Sequence, residues 1–461
     1  MPFSNAAQAA ETGSPPRPTL TDRIKALALR DTNVVVVAVI LNNLLRAVSG
    51  MILTRLLVPE VFGISGIIGS IQFTVTLATD LGFQPFVVRH QNGDDPRFLD
   101  TVWTAALVRS ILLGLTLVAL AQPLAMLLEK PELTPVIAAS SLTFLFDGLA
   151  STTLLTALRR RMVLKLSIID IAAQVVQIAV SAVLAYFWRS YWAILVGMLS
   201  NGAFRMAMSY VAFDDSVRRL RLDRETLREL WSFARYVTGS SIIFLIISQC
   251  DKLVLAKMMP LDDFGFYVLA GNLASAPLGF AAAYNTRVLY PAYAQMWREG
   301  EADLKARFYA RRRVPALLYV FASGGIIGAA PTIVRFLYTA RYAEAAVYLQ
   351  ILGISSLLAL SSYAAHETLT AVGNARAFLE ANTAKLAWLV LAGGIGFLSY
   401  GAFGLIVAVG LMELPSLLLR WQRLSTFDLL DLRQELLILA AAPAGIAAGL
   451  LVNAIAARIL G

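Results

Sequence analysis

Thirteen predominantly apolar blocks, most of them 20 or more residues long, run through this chain and decide what it can fold into. They fall at about 34–57, 61–88, 101–128, 134–158, 166–188 and 191–213, then at 234–258, 263–289, 314–337, 345–372, 382–400 and 402–420, with a last one at 436–457. A block of that length crosses the ~30 Å hydrocarbon core of a bilayer as a helix. Only 15% of the 461 residues are charged and mean hydropathy is +0.68, whereas a soluble domain carries about 25% charged residues. A soluble enzyme and a disordered chain are both excluded.

The net charge of +9 would point to nucleic acid in a soluble protein. Here the basic residues follow the blocks. With the N-terminus placed in the cytoplasm, the inside segments hold 28 Lys and Arg and the outside segments seven, as the positive-inside rule requires. The other four, Arg46, Arg109, Arg205 and Lys252, lie within spans. A single cysteine, Cys250, and two histidines, His90 and His366, leave no material for a disulfide or a Cys/His metal centre. No cofactor and no nucleic-acid partner are expected. Residues 1–33 read as a cytoplasmic tail with a short amphipathic segment at 20–29, and the first block is too long for a signal peptide.

The expected organisation is the tail 1–33, a six-helix lobe 34–213, a linker 214–233, a second six-helix lobe 234–421, and a linker with one extra helix over 422–461. Residues 55–63 (RLLVPEVFG) and 257–265 (KMMPLDDFG) occupy corresponding places, 202 residues apart. Arg55, Pro59 and Gly63 thus match Lys257, a proline shifted by one, and Gly265. Six spans per lobe give both lobes the same orientation. The fold class is an all-α integral membrane protein of two parallel bundles, related by a pseudo-two-fold along the membrane normal, plus a C-terminal helix.

A charge at the bilayer centre costs about 2.5–3.5 kcal/mol on insertion scales, so such residues face cavities or each other. Arg46, with Asn42 and Asn43 one turn earlier, and Lys252 are the candidate substrate-binding residues of a cationic cavity. The competing reading is structural pairing: Arg46 with Asp80, and Lys252 as counter-charge to Asp251. Asp251 is the one candidate for ion coupling. Asp80, Arg109 and Asp170 lie near span ends, where snorkelling to the interface is expected. The Gly393, Gly394 and Gly396 cluster reads as close helix packing. The stretch Gln295–Arg313 reads as the longest loop of the second half, its arginines facing anionic headgroups. There is no GxxxxGK[ST] phosphate loop, and the adjacent pair His366-Glu367 does not form a zinc-protease helix face.

These residues resemble a known family. RLLVPEVFG at 55–63 is similar to the "ARLL-x-P-E-x-F-G" turn of polysaccharide-transport flippases. TDLGF at 79–83, with Asp80 and Gly82, is similar to their "SDLG" motif. DKLVLAK at 251–257 resembles their seventh helix, LYPAY at 289–293 the close of the eighth, and GNAR at 373–376 the turn after the tenth. The resemblance covers about 34–421. The superfamily also holds multidrug exporters and a lipid II flippase. It implies two lobes around a central cavity in the bacterial inner membrane. It implies movement of an undecaprenyl-diphosphate-linked oligosaccharide from the cytoplasmic to the periplasmic leaflet, for exopolysaccharide, capsule or O-antigen. The expected partners are that substrate, membrane lipids and a polysaccharide polymerase or export machinery, with the chain itself a monomer. The alternatives are multidrug efflux by cation antiport and a non-transporting scaffold. A glycan polymerase would need a larger outer loop than any here.

Overall fold

The computed structural model describes residues 31–160, 162–214, 216–299, 303–374 and 376–460, and its regular elements are all helices. The tail 1–30, with the segment at 20–29, lies outside the described residues. The first half contains α1 (Asp31–Leu56), α2 (Pro59–Ala78), α3 (Phe83–Arg89), α4 (Pro96–Leu127), α5 (Thr134–Ser140), α6 (Leu142–Leu149), α7 (Thr153–Arg159), α8 (Val163–Trp188) and α9 (Tyr191–Val211). The second contains α10 (Arg224–Met258), α11 (Leu261–Tyr284), α12 (Tyr290–Arg298), α13 (Leu304–Gly328), α14 (Ala330–Leu337), α15 (Ala345–Ala371), α16 (Arg376–Gly410), α17 (Glu413–Thr426), α18 (Leu432–Leu439) and α19 (Ala441–Leu460).

Eight stretches are long and apolar enough to cross a membrane alone, and two bent pairs raise that to ten. The 51-residue stretch Arg376–Thr426 is one of the eight, but it is two crossings. It reverses at Gly401 (φ 60°, ψ −145°). Trp388 Nε1 donates to Ala408 O at 2.9 Å, where a straight helix would hold the two residues ~30 Å apart. Gly396 and Gly404 meet backbone to backbone across this hairpin, so the glycine cluster is a packing device. With α9 and α10, whose apolar runs are interrupted by Arg205 and by Asp251 and Lys252, the membrane-length helices among the described residues number thirteen.

Several crossings differ from the straight rods that hydropathy predicts. The block at 134–158 is bent by 57° after Leu149. Ser209 takes the backbone N–H of Ser151 (2.9 Å) and the hydroxyl of Thr153 there, which replaces helical bonding with side-chain bonding. The block at 314–337 is the end of a helix that starts at Leu304, and it bends by 70° where Pro331 opens α14. The expected loop 295–313 is therefore mostly helix: α12 runs to Arg298 and α13 begins at Leu304. The block at 61–88 stops at Ala78, and Gly82, left-handed at φ 68°, starts the separate helix α3.

The repeated turn has a local physical cause in both halves. Arg55 and Lys257 sit in the last turns of α1 and α10, beside carbonyls that favour a cation. Pro59 opens α2 with Glu60 in its first turn, and Pro260 precedes α11 with Asp262 and Asp263 in its first turn. The two turns also touch. A Cβ on Gly63 would lie 2.2 Å from Leu261 O, and a Cβ on Gly265 would lie 2.2 Å from Pro59 O. The contact is reciprocal under the same 202-residue offset, so the pseudo-two-fold axis passes through it.

The extra helix is built into the second lobe. Gly324 and Gly328 on α13 interlock with Gly445 and Gly449 on α19, each within backbone-contact distance of the other helix. Asn453 on α19 accepts from Thr332 and donates to Gly328 O. At the other end Arg312 pairs with Glu435 on α18, and Tyr309 donates to the same carboxylate at 3.0 Å. Arg312, expected at the lipid headgroups, is buried. The outward surface is apolar, with Leu112, Leu115, Ile168, Val183, Val390, Leu391, Ile395 and Leu398 exposed, as a protein dissolved in lipid requires.

Candidate functional site

The two halves meet along a seam formed by α1, α2, α10 and α11. On α1, residues three and four apart share a face, and Asn43, Arg46 and Gly50 form that face. Arg46 lies eleven residues before Leu57, ~16 Å down the helix and so near mid-membrane. Its guanidinium donates to Asn272 Oδ1 on α11 at 3.0 Å. Asn43 lies beside Gly279 of α11, Gly50 against the ring of Tyr338, and Asn42 is half-buried. The alternative pairing of Arg46 with Asp80 does not form. Asp80 sits just beyond the far end of α2, where it accepts from Gly82 N (2.9 Å) and from Ser241 Oγ of α10 (3.3 Å), and its carbonyl accepts from Thr238 (2.6 Å). Asp80 and Gly82 therefore make a turn that fastens α2 to α10.

Lys252 is half-buried on α10 and has no hydrogen-bond or ion-pair partner among the described residues. Asp251 is buried and accepts from the hydroxyl of Tyr267 on α11. Tyr267 is the hydrogen-bond partner of this carboxylate, and the neighbouring Lys252 charge also acts on it. Arg46 and Lys252 stand on different walls: α1 packs chiefly on α8 and α11, and α10 on α2, α16 and α4.

A second group of charges belongs to the first lobe. Arg109 donates to Thr79 O (2.8 Å), Thr76 O (2.9 Å) and Thr79 Oγ1 (2.9 Å), closing the end of α2. Arg205 pairs with Asp170 at 3.1 Å, and Asp147 is within electrostatic reach of Arg205 and Arg109. Arg109 and Asp170, expected to snorkel, thus also have protein partners.

Both ends of the seam are tied. At the end that the charge bias assigns to the outside, Gly63 meets Gly265, Tyr342 donates to Leu57 O at 2.7 Å, and Lys130 Nζ caps α10 through Ala256 O at 2.8 Å. Lys257 pairs with Glu129 at 3.4 Å beside it. Burial pushes the Lys130 ammonium down from its usual range against the pull of Glu132 and Glu129. At the opposite end, His90 bonds Glu229 at 2.8 Å, and the backbone of Arg219 and Arg221 reaches Asp100 and Thr104. Arg159 caps α3 through Val88 O and His90 O and pairs with Asp94 at 2.8 Å. Partial burial pulls the Asp94 carboxyl upward, but the bonds from Arg159 and Arg160 outweigh it and hold the group below the usual range.

Sequence reasoning missed a buried cluster in the second lobe. Lys385 and Arg420, counted among the 28 inside cations, lie inside α16 and α17. Lys385 pairs with Glu413, and Arg420 reaches Ser362. A basic residue a few positions from a span end reads the same whether it faces headgroups or a carboxylate. Among the described residues no group of three metal-ligating side chains occurs.

An all-helical, multi-pass membrane protein of two related lobes meeting on a pseudo-two-fold seam has the architecture of a transporter. The chain belongs to the family described as polysaccharide biosynthesis protein, whose model matches residues 52–347. It is 27% identical over 259 residues to the amylovoran biosynthesis protein AmsL of Erwinia amylovora, covering 55% of this chain and 65% of that one. It is 23% identical over 274 residues to the succinoglycan biosynthesis transport protein ExoT of Rhizobium meliloti (59% and 55%), and 25% over 233 residues to the lipopolysaccharide biosynthesis protein WzxC of Escherichia coli (50% and 47%). These matches span about half to two thirds of the relatives' lengths. Among solved structures, the fold is similar to the lipid II flippase MurJ in an inward closed conformation, with TM-score 0.70, 12% identity, and 93% of this chain and 98% of that one covered. It is also similar to an inward-facing multidrug transporter of the MATE family, with TM-score 0.62, 15% identity, and 84% and 95% covered.

Proposed function

We propose that this chain is a flippase that moves an undecaprenyl-diphosphate-linked oligosaccharide from the cytoplasmic to the periplasmic leaflet for exopolysaccharide, capsule or O-antigen synthesis. The observation that carries this reading is the pairing of Arg46 near mid-membrane with a neutral amide. Asn272 orients the guanidinium without cancelling its charge, and no described carboxylate pairs with it. Lys252 adds a second cation without a bonded partner. Two such cations in low dielectric attract a diphosphate strongly. Asn42 and Asn43 extend the same wall with amides that suit sugar hydroxyls. The relatives named for amylovoran, succinoglycan transport and lipopolysaccharide supply the glycan class.

The glycan and its diphosphate cross between the lobes while the lipid tail stays in the bilayer. Alternating access then unfastens one end of the seam at a time. The chain acts as a monomer in the inner membrane, handing product to a polymerase or export machinery. Proteoliposomes with a lipid-diphosphate oligosaccharide bearing a fluorescent sugar test this by protection of the sugar from an external quencher. Protein-dependent crossing is expected, and Arg46→Ala and Lys252→Ala should each slow it about ten-fold or more, the loss of one charge-assisted contact of ~1.5–3 kcal/mol. No crossing, with efflux of a cationic dye instead, would replace the flippase by a multidrug exporter.

A further inference from the structure

The cluster in the second lobe lies apart from the seam. Lys385 on α16 pairs with Glu413 Oε1 at the start of α17, and Ser362 Oγ on α15 donates to Glu413 Oε2 at 2.9 Å. Arg420, two turns along α17, donates to Ser362 O at 2.9 Å and to its hydroxyl. Lys385, Glu413, Arg420 and Ser362 are 8%, 2%, 3% and 0% exposed. Lys385 is nine residues into α16 and Glu413 thirteen from the end of α17, about 14 and 20 Å along their helices, which puts both in the hydrocarbon slab. The other titratable groups facing this spot are Tyr363, His366 and Glu367 on α15 and Tyr319 on α13, with Glu367 held by Thr286 Oγ1 at 3.1 Å.

Two features separate this cluster from a simple helix clamp. First, three buried donors have no hydrogen-bond partner among the described residues: Arg420 Nε, Ser361 Oγ and Ser416 Oγ. Ser416 shares the α17 face of Glu413 and Arg420, and Ser361 adjoins Ser362. Buried polar groups of this kind are rare and mark sites with further polar occupants. Second, one carboxylate, Glu413, is bonded directly by Lys385 and linked to Arg420, a cation of different chemistry, through Ser362. Arginine keeps its proton under all working conditions, whereas a buried lysine gives its proton up readily. Loss of the Lys385 proton leaves a neutral amine, and Glu413 is still served by Arg420 through Ser362.

We propose that Lys385 is a proton-binding site that couples a proton movement to the transport cycle. It is charged and paired with Glu413 in the packing seen here, and it releases one proton to water when α16 and α17 shift. No other bond changes: ammonium becomes amine plus a free proton. The inference rests on the flippase reading for its cargo but not for its first readout.

That readout needs no cargo. Trp388 lies one turn from Lys385 on α16 and Trp421 follows Arg420. Tryptophan emission of the full chain in detergent is titrated from neutral to alkaline pH. A transition is expected in the wild type and should vanish in Lys385→Arg, which keeps the ion pair but cannot release the proton. Persistence of the transition in Lys385→Arg, or its absence in the wild type, overturns the proposal. The second readout is crossing in proteoliposomes under an imposed pH difference with the membrane potential clamped. The wild type should respond to the gradient. Lys385→Arg and the shape-conserving double variant Lys385→Met/Glu413→Gln should lose the response while retaining gradient-independent crossing. Crossing that ignores the gradient in the wild type, or a response lost only in Asp251→Asn, overturns the proton site and leaves the flippase standing. A titration that behaves as expected without any crossing sinks the flippase alone.

Discussion

Arg46 and Asn272 are separated by 226 residues in sequence and joined by one hydrogen bond. In the proposed substrate site that bond matters because a neutral acceptor fixes the direction of the guanidinium without pairing its charge. Asn272→Asp should therefore slow crossing about as much as Arg46→Ala, because a carboxylate at the same place neutralises the site. A crossing rate unchanged by Asn272→Asp would remove Arg46 from the substrate path. Asp94 gives the pH-dependent case. Its carboxyl is held below the usual range by Arg159 and Arg160, so its contribution to stability is present above the unfolded value and disappears as pH falls through the folded one. Thermal melts in detergent should show Asp94→Asn less stable than wild type at neutral pH, with the two converging only in acid. The in-span charges of α1, α4, α9 and α10 were legible in the sequence, but their partners were not, and Lys385 and Arg420 were missed as in-span charges altogether. Arg46 and Asn272 come from different halves, and nothing local in either segment selects the other.

At the scale of elements, hydropathy located nearly every crossing because lipid forces each one to be a helix. It could not see where a helix bends. The bends at 150–152 and at Ala329 depend on Ser209 and on Pro331, residues that leave the apolar average unchanged. Nor could it see that α13 begins at Leu304, since Arg311, Arg312 and Arg313 resemble a loop until Glu435 is folded against the middle one. Removing one partner of such a buried pair costs about 3–5 kcal/mol. Arg312→Ala should thus loosen α18 and α19 from the lobe, seen as faster proteolysis after residue 426, whereas Arg311→Ala should not. The interlocked glycines give an independent check. A leucine at Gly445, whose added Cβ would lie 2.1 Å from Phe321 O, should displace α19 from α13 and lower the melting temperature.

For the whole molecule, the proposed transport cycle has the fastenings at the two ends of the seam open in turn. Tyr342 donating to Leu57 O is the point where the α14–α15 connection of one lobe meets the α1–α2 turn of the other. A Leu57→Cys/Tyr342→Cys pair, cross-linked by a short bifunctional reagent, should stop lipid-linked oligosaccharide crossing, and cleavage of the linker should restore it. Full crossing in the cross-linked protein would show that this end does not open.

The contact between Gly63 and Gly265 has an implication for ancestry. Residue 63 meets residues 261 and 265, and residue 265 meets residues 59 and 63, which is the pattern that a symmetric dimer makes with itself. Such a patch is self-complementary, so a polypeptide of half this length would already have carried both sides of it. Joining two copies in one chain would add no new surface at this point; it would free each copy to change alone. Arg46 without a counterpart at 248, where Ser248 stands, and Lys252 without one at 50, where Gly50 stands, are the asymmetries which that freedom permits.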